Sequence, residues 1–330
     1  MTSQSQPPLI DVHSHATLDL EDGREAGTNI PSQFVPPWSV EGGLHIMNEV
    51  GIGTCVLSMP EAGTHFDDAK NVSRARQVNE YLGGIAAGNP TRFGSMAVLP
   101  ATTMDGSLEE LAYALDTLGM DAVSLPTSVN DVYLGDSQFD PLFEELNRRS
   151  ATLFVHPVQA KASAPLMNGL IQSMLEFPFD TTRMITNMIF SGAVRRFPNI
   201  KMVVSHGGGT FPYLLTRLQT LEPLTGPGPG RKMLTPEEIK EGAAWFYYDL
   251  AAATSKAHLT ALTEIVPSSR LLVGFDIPFM PVSTMGSALQ DIHAWDGFDE
   301  QDVANILHAN AAGLFPAVEA RRRGVAHSLS

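Results

Sequence analysis

The stretch Pro8-Leu9-Ile10-Asp11-Val12-His13-Ser14-His15 decides how the chain is read. An apolar run with β-branched residues stops abruptly at two histidines, one residue apart. On a strand, residues i and i+2 point to the same side, so both imidazoles leave one face and can meet one metal ion. Taken alone, the pair is weak evidence of a metal. Its weight comes from recurrence, because three later apolar runs end in His156, His206 and Asp276.

Working outward from that stretch, eight short apolar runs recur along the chain: residues 9–12, 54–59, 93–99, 122–125, 152–155, 201–205, 245–251 and 271–275. Most are continuous rather than alternating, the pattern of strands buried on both faces. The segments between them carry helical spacing. Residues 40–50 place Leu44, Met47 and Val50 on one face, and residues 108–118 do the same with Leu108, Leu111, Leu115 and Leu118. Residues 139–149 open with Asp140-Pro141, a cap and a first-turn proline. Residues 211–221 and 301–314 read as helices too.

Eight βα units in series predict an α/β chain folded as a (β/α)8 TIM barrel, one domain over residues 1–330. A doubly wound sheet is the competing arrangement. It does not bring the ends of strands 1, 5, 6 and 8 together, whereas a closed barrel sets strand 8 beside strand 1. Residues 19–37, 159–182, 224–231 and 278–286 lengthen the loops, mostly at the C-terminal face. The tail from Arg321 to Ser330 reads as a solvated, disorder-prone helix end.

Composition narrows the function. The chain is 43% hydrophobic and 17% charged, which leaves ample material for a core. A net charge of −15 argues against a nucleic-acid backbone as partner and favours a small molecule. Cys55 is the only cysteine, so no internal disulfide forms, and its apolar surroundings make it a buried small hydrophobe. Met1 to Pro7 is polar, without the regions of a signal peptide. No apolar run approaches the roughly 18 residues of a membrane span. A cytoplasmic location is the expectation.

In a barrel all C-terminal strand ends open onto one face, where active sites lie. There, strand 1 supplies His13 and His15, strand 5 His156, strand 6 His206 and strand 8 Asp276. Imidazole with carboxylate suits one divalent ion, Zn²⁺ first, and also Mn²⁺, Fe²⁺ or Co²⁺.

With those residues in view, the chain resembles the amidohydrolase superfamily, in the branch of aminocarboxymuconate-semialdehyde decarboxylase and the aromatic acid decarboxylases. The resemblance covers most of the chain. Its carriers are residues 10–15, Phe154-Val155-His156-Pro157, residues 191–201 leading into Ser205-His206-Gly207-Gly208-Gly209-Thr210-Phe211-Pro212-Tyr213, Gly274-Phe275-Asp276-Ile277-Pro278-Phe279, and Asn310-Ala311-Ala312-Gly313-Leu314-Phe315. Asn79-Glu80-Tyr81-Leu82, Pro90-Thr91-Arg92-Phe93-Gly94 and Tyr133-Leu134-Gly135-Asp136 are similar to the 6-methylsalicylate decarboxylase group.

The resemblance implies that His13, His15, His156 and Asp276 bind one divalent metal, with His206 beside it as a catalytic residue. It implies that Arg217 reaches a substrate carboxylate across a homodimer interface. The region 121–128 has no lysine, which fits one metal rather than two. One departure stands out. The muconate-semialdehyde enzymes bind carboxylate with an arginine between strands 1 and 2, and from Glu25 to Ser73 this chain has none. A single carboxylate on a less polar ring is compatible with that.

The leading expectation is therefore metal-dependent, non-oxidative decarboxylation of a hydroxybenzoate-type acid. By analogy with the aromatic decarboxylases, Asp276 delivers the proton to carbon and His206 polarises the phenol or carboxylate. The alternative keeps the site and changes the reaction to hydrolysis of a lactone, ester or amide, or to hydration, with Asp276 or His206 taking a proton from metal-bound water. A structural metal is the non-catalytic alternative. Trp38, Phe177, Phe179, Phe275 and Phe279 stand near strand ends or the loops after them, where a ring can stack or ordinary packing can explain them. His65 is kept as a substrate contact, while His45, His258, His293 and His308 read as ordinary histidines. Asp249 reads as a barrel-interior polar residue first and a supporting contact second. Gly207 to Gly209 either let backbone approach a substrate or start a helix tightly.

Overall fold

The computed structural model describes residues 9–20, 23–25, 35–59, 67–158, 160, 169–226 and 232–328. Eight parallel strands follow one another round a barrel, in chain order. They are β1 Leu9–His15, β2 Ile52–Ser58, β3 Phe93–Val98 and β4 Ala122–Pro126, then β5 Thr152–His156, β6 Lys201–Val204, β7 Tyr247–Asp249 and β8 Leu271–Leu272. Every residue of β1, β3, β4 and β5 is buried, which is why their apolar runs are continuous. Each strand is followed by a helix: α1 Val40–Val50, α2 Asp68–Gly88, α3 Met104–Ala112, α4 Asp140–Arg149, α5 Gln172–Phe190, α6 Phe211–Thr225, α7 Lys256–Thr263 and α8 Val282–Ala294. Local chemistry sets their ends. The Ser39 hydroxyl accepts the Gly42 N–H at the start of α1, and Gly51 ends it at φ 86°.

The barrel closes where β8 meets β1. The run expected as a strand over 271–275 pairs regularly with β7 for two residues only. Beyond them it bonds to β1 without a regular ladder. Val12 N–H donates to the Val273 carbonyl at 3.2 Å, Asp276 N–H to His13 O at 2.7 Å, and His15 N–H to Ile277 O at 2.6 Å. Asp276 itself sits at φ 57°, which no ladder accommodates.

β1 also changes phase. Its register against β2 shifts between Asp11 and Ser14. Below the shift Ile10 and Val12 join the barrel interior. Above it His13 and His15 face the mouth. The buried Asp11 carboxylate holds the irregularity, accepting the N–H of His13 at 2.9 Å, the Ser14 hydroxyl at 2.5 Å and the Phe275 N–H at 3.2 Å. Irregularities of this kind re-aim side chains beside active sites.

The opposite end is plugged. Ile10, Val12, Val56, Met96, Ala122, Phe154, Val203 and Leu272 fill the lower interior and pack on Ala311, Leu314, Phe315 and Val318. The chain end, expected as a solvated, disorder-prone helix end, is helical over Pro316–Ser328. Its Arg321 is tied down by two hydrogen bonds to Asp121, both at 2.9 Å. Two small hairpins, Leu18–Leu20 with Gly23–Glu25 and Ser128–Val129 with Val132–Tyr133, have no apolar run to announce them. Among the described residues no helix is long and apolar enough to cross a membrane. His65 lies outside the described residues, as do most of 19–37 and parts of 159–182 and 224–231.

Candidate metal centre

Each of the three histidines at the mouth has an acceptor beside its Nδ1. His13 Nδ1 lies 2.9 Å from Asp249 Oδ2, His15 Nδ1 is 3.0 Å from the Ser58 hydroxyl, and His156 Nδ1 is 3.0 Å from the Pro157 carbonyl. A proton on Nδ1 leaves Nε2 as a lone-pair donor. The rings pack edge to face, with centroids 5.1 Å apart for His13 and His15, and 5.0 Å apart for His15 and His156. Asp276 Oδ1 comes within 3.2 Å of His15 Nε2 and 3.5 Å of His13 Nε2. Neither approach has hydrogen-bond alignment, so His13 Nε2, His15 Nε2 and Asp276 Oδ1 are all buried without a partner.

Buried polar atoms are nearly always paired, and a cluster of unpaired atoms with one ligand chemistry fits a cation site. One ligand atom from each of His13, His15, His156 and Asp276 lies within 4.8 Å of all the others. Three imidazole nitrogens and a carboxylate oxygen are a donor set for a single divalent cation. The structure thus indicates a mononuclear divalent metal site.

The charges agree with that reading. Burial pulls the His13 imidazole down, but the Asp249 and Asp276 carboxylates outweigh it and raise its pKa from 6.5 to about 9. Burial pushes the Asp276 carboxyl up, yet the His13, His15 and His206 rings hold it well below the usual carboxylate range. Burial, helped by the neighbouring His15, His13 and His206, keeps His156 neutral. The site holds negative charge and lone pairs where a cation would displace a proton.

His206 follows β6 and sits at φ 55°. Its ring is 4.9 Å from that of His13, and its Nδ1 faces the Ala251 carbonyl at 3.2 Å. Gly207, Gly208 and Gly209 continue the left-handed backbone at φ 62°, 74° and 64°. A Cβ on Gly209 would lie 2.1 Å from the Pro178 carbonyl oxygen, and one on Gly208 2.7 Å from the Tyr248 ring. Close packing and positive φ together demand these glycines.

A cavity of about 540 Å³ opens above the cluster, with His15, His156, His206 and Asp276 in its floor. Ile171, Met174, Phe177, Phe279 and Met280 form an apolar wall, and Thr210, Tyr213 and His258 a polar one. No arginine or lysine is among the described residues lining it. Phe279 stands with its ring 5.6 Å from His15, and Phe177 5.5 Å from His156.

One residue expected at the site lies elsewhere. Trp38 packs against Phe93, the first residue of β3, and over Gly43 of α1, so it belongs to the helix layer and not the mouth. Arg217 is exposed on the outer side of α6, in a second groove of about 640 Å³ lined also by Tyr133, Arg183 and Leu218. Conversely, His258 lines the cavity although its helical position suggested an ordinary histidine. The signal lay in Ser255, which caps α7 just beyond the end of β7 and so delivers His258 to the C-terminal face.

The chain is 34% identical to a decarboxylase of Penicillium terrestre, over 93% of this chain and 94% of that one. It is 31% identical to the 6-methylsalicylic acid decarboxylase of Penicillium expansum, over 94% and 97%. The amidohydrolase family model matches residues 10–317. The chain belongs to the amidohydrolase family. This amidohydrolase shares its fold with a dihydroxybenzoic acid decarboxylase from Polaromonas, solved with bound manganese and the inhibitor 2-nitroresorcinol. That match has a TM-score of 0.79 at 20% identity and covers 94% of this chain and 97% of the other.

Proposed function

We propose that this amidohydrolase is a metal-dependent, non-oxidative decarboxylase of a hydroxybenzoate-type acid resembling 6-methylsalicylate. One observation carries the reading: a floor built to hold a cation lies under walls whose described residues offer rings and methionines and no arginine or lysine. A substrate there has one carboxylate to meet the metal and an otherwise uncharged body. The named activity of the Penicillium expansum relative supports the same class.

His13, His15, His156 and Asp276 would hold the ion, which supplies Lewis acidity towards a carboxylate and an ortho-hydroxyl. Zn²⁺ suits this donor set, and Mn²⁺ is the ion of the Polaromonas structure. Phe177 and Phe279 flank the ring. His206, anchored through Nδ1, turns Nε2 to the phenol or carboxylate. Asp276 is held ionised, so it must gain a proton before it can give one, and the substrate's phenolic hydroxyl is the group at hand. Asp276 then delivers that proton to the ring carbon bearing the carboxylate. The carbon–carbon bond breaks, its electron pair restores the aromatic ring, and CO₂ leaves. The phenolate is reprotonated from solvent, so one proton is consumed per CO₂ released.

Arg217 lines the outer groove and not the described wall of its own cavity, a position from which a neighbouring site could be served. The homodimer implied by the family resemblance gives it that use, reaching a substrate carboxylate in the partner.

The test is a CO₂-release screen over ortho-hydroxybenzoates, with metal stripped by a chelator and Zn²⁺ or Mn²⁺ restored. Stoichiometric CO₂ and phenol that disappear with the metal are the expected result. Cleavage of lactones or amides, with no acid decarboxylated, would overturn the reading.

A further inference from the structure

We propose that Asp249 is a positioning residue that locks His13 and the turn carrying His206 into one fixed relation. The proposal rests on the reading of the mouth as a metal site.

Asp249 ends β7, and its side chain is wholly buried, as is that of His13. Its Oδ2 takes the Nδ1–H of His13 at 2.9 Å. That bond requires the proton on Nδ1 and leaves Nε2 free for an ion. Its Oδ1 accepts the backbone N–H of His206 at 3.2 Å and that of Ala251 at 2.8 Å. The Ala251 carbonyl in turn accepts from His206 Nδ1 at 3.2 Å. A single carboxylate therefore fixes the tautomer of a ligand on one side. On the other it holds the left-handed turn that presents the neighbouring imidazole, at φ 55°.

Both oxygens work as acceptors only, which suits an ionised carboxylate and no amide. An asparagine would turn its NH₂ either to the two backbone N–H groups or to His13. In the first case donors face donors. In the second, His13 is driven into the tautomer that cannot ligate through Nε2. Gly274 makes room for the pair, since a Cβ there would lie 2.8 Å from His13 Cβ and 3.1 Å from Asp249 Oδ1. Methyl-sized intrusion at 274 should therefore disturb the same pair while Asp249 remains.

The experiment uses the full chain, stripped of metal and titrated with Mn²⁺, with free Mn²⁺ followed by electron paramagnetic resonance. Asp249→Asn should bind Mn²⁺ about 10–100-fold more weakly. In Asp249→Ala, which leaves the two backbone N–H groups no side-chain acceptor, kcat should stay low at saturating Mn²⁺. Gly274→Ala should loosen Mn²⁺ in the same direction. A readout independent of whether Asp249→Asn folds is the histidine ¹H–¹⁵N spectrum of the Zn²⁺-loaded wild type, with the His13 signal identified by its loss in His13→Gln. The proton should be on Nδ1. An Asp249→Asn chain that binds Mn²⁺ within twofold of wild type, or a His13 protonated on Nε2, overturns the proposal. Weakened binding in Asp249→Ala with kcat fully restored at saturation overturns its His206 half. A wild type that binds neither Mn²⁺ nor Zn²⁺ overturns the metal reading itself, and so is distinct from a failure confined to Asp249.

Discussion

At the N-terminal end of the barrel, Leu314, Phe315 and Val318 close over Ile10, Val56 and Phe154. The polar groups there are paired: Thr152 donates its hydroxyl to the Leu314 carbonyl at 2.7 Å, and Arg321 grips Asp121. At the C-terminal end three ligand-type atoms are buried without partners, and His206, Ala252 and Asp276 hold left-handed backbone. Each fully buried large apolar side chain contributes about 1.5–3 kcal/mol. Such burial at the plug stabilises the barrel, and the comparison teaches that one end sustains the irregular backbone the other end uses.

The largest effect should come from breaking the mouth alone. Asp276→Asn is expected to lower kcat by about 10²–10⁴-fold, the worth of a positioned acid–base group, while the melting temperature barely moves. Turnover assays beside thermal melts check this, and near-normal activity would break the comparison. At the other end, Phe315→Ala should do the reverse. It opens a cavity under the plug and costs about 3–5 kcal/mol of unfolding free energy, with kcat of the folded protein unchanged. Urea unfolding with parallel kinetics reads both numbers.

A smaller loss follows from Arg321→Ala. The Asp121 side chain is only 1% exposed, and without Arg321 it keeps the Ser95 N–H as its donor. About 1–3 kcal/mol should disappear from the unfolding free energy, again without effect on turnover. The smallest effect lies on the surface, away from both ends. Hydrogen bonds from Arg148 and Arg149 lower the Glu145 pKa from 4.5 to about 2. The folded value is depressed, so the stabilisation is present above pH 4.5 and is lost as pH falls through about 2. The group is partly exposed and screened by solvent, so the carboxylate's own NMR titration is the measurement to make.

Much of this was legible in the chain, for identifiable reasons. Strands buried on both faces announce themselves as apolar runs, so all eight barrel strands stand where such runs do. His13, His15, His156, His206 and Asp276 each follow or end one of those runs, and the barrel gathers them at one mouth. What stayed hidden depends on packing between distant segments. The regular part of β8 is short because Asp276 leaves the ladder at positive φ to bond His13, a pairing of residues far apart in sequence. Trp38 sits on Phe93 because Gly43 admits an indole, which no strand-end argument reveals. The tail's Arg321 looked solvated until Asp121, buried beneath it, supplied a partner.

The bonds that join β8 to β1 have a consequence for how fast an ion is captured. They run between main-chain atoms of the ligand-bearing residues themselves, from Asp276 N–H to His13 O and from His15 N–H to Ile277 O. Closing the barrel and bringing Asp276 to His13 and His15 are therefore one event in folding. The conformational entropy of bringing a carboxylate to two imidazoles is spent before any ion arrives. Capture then depends on how quickly the ion sheds its water and passes the mouth, not on a rearrangement of the chain. The capture rate should accordingly track the water-exchange rate of the ion offered.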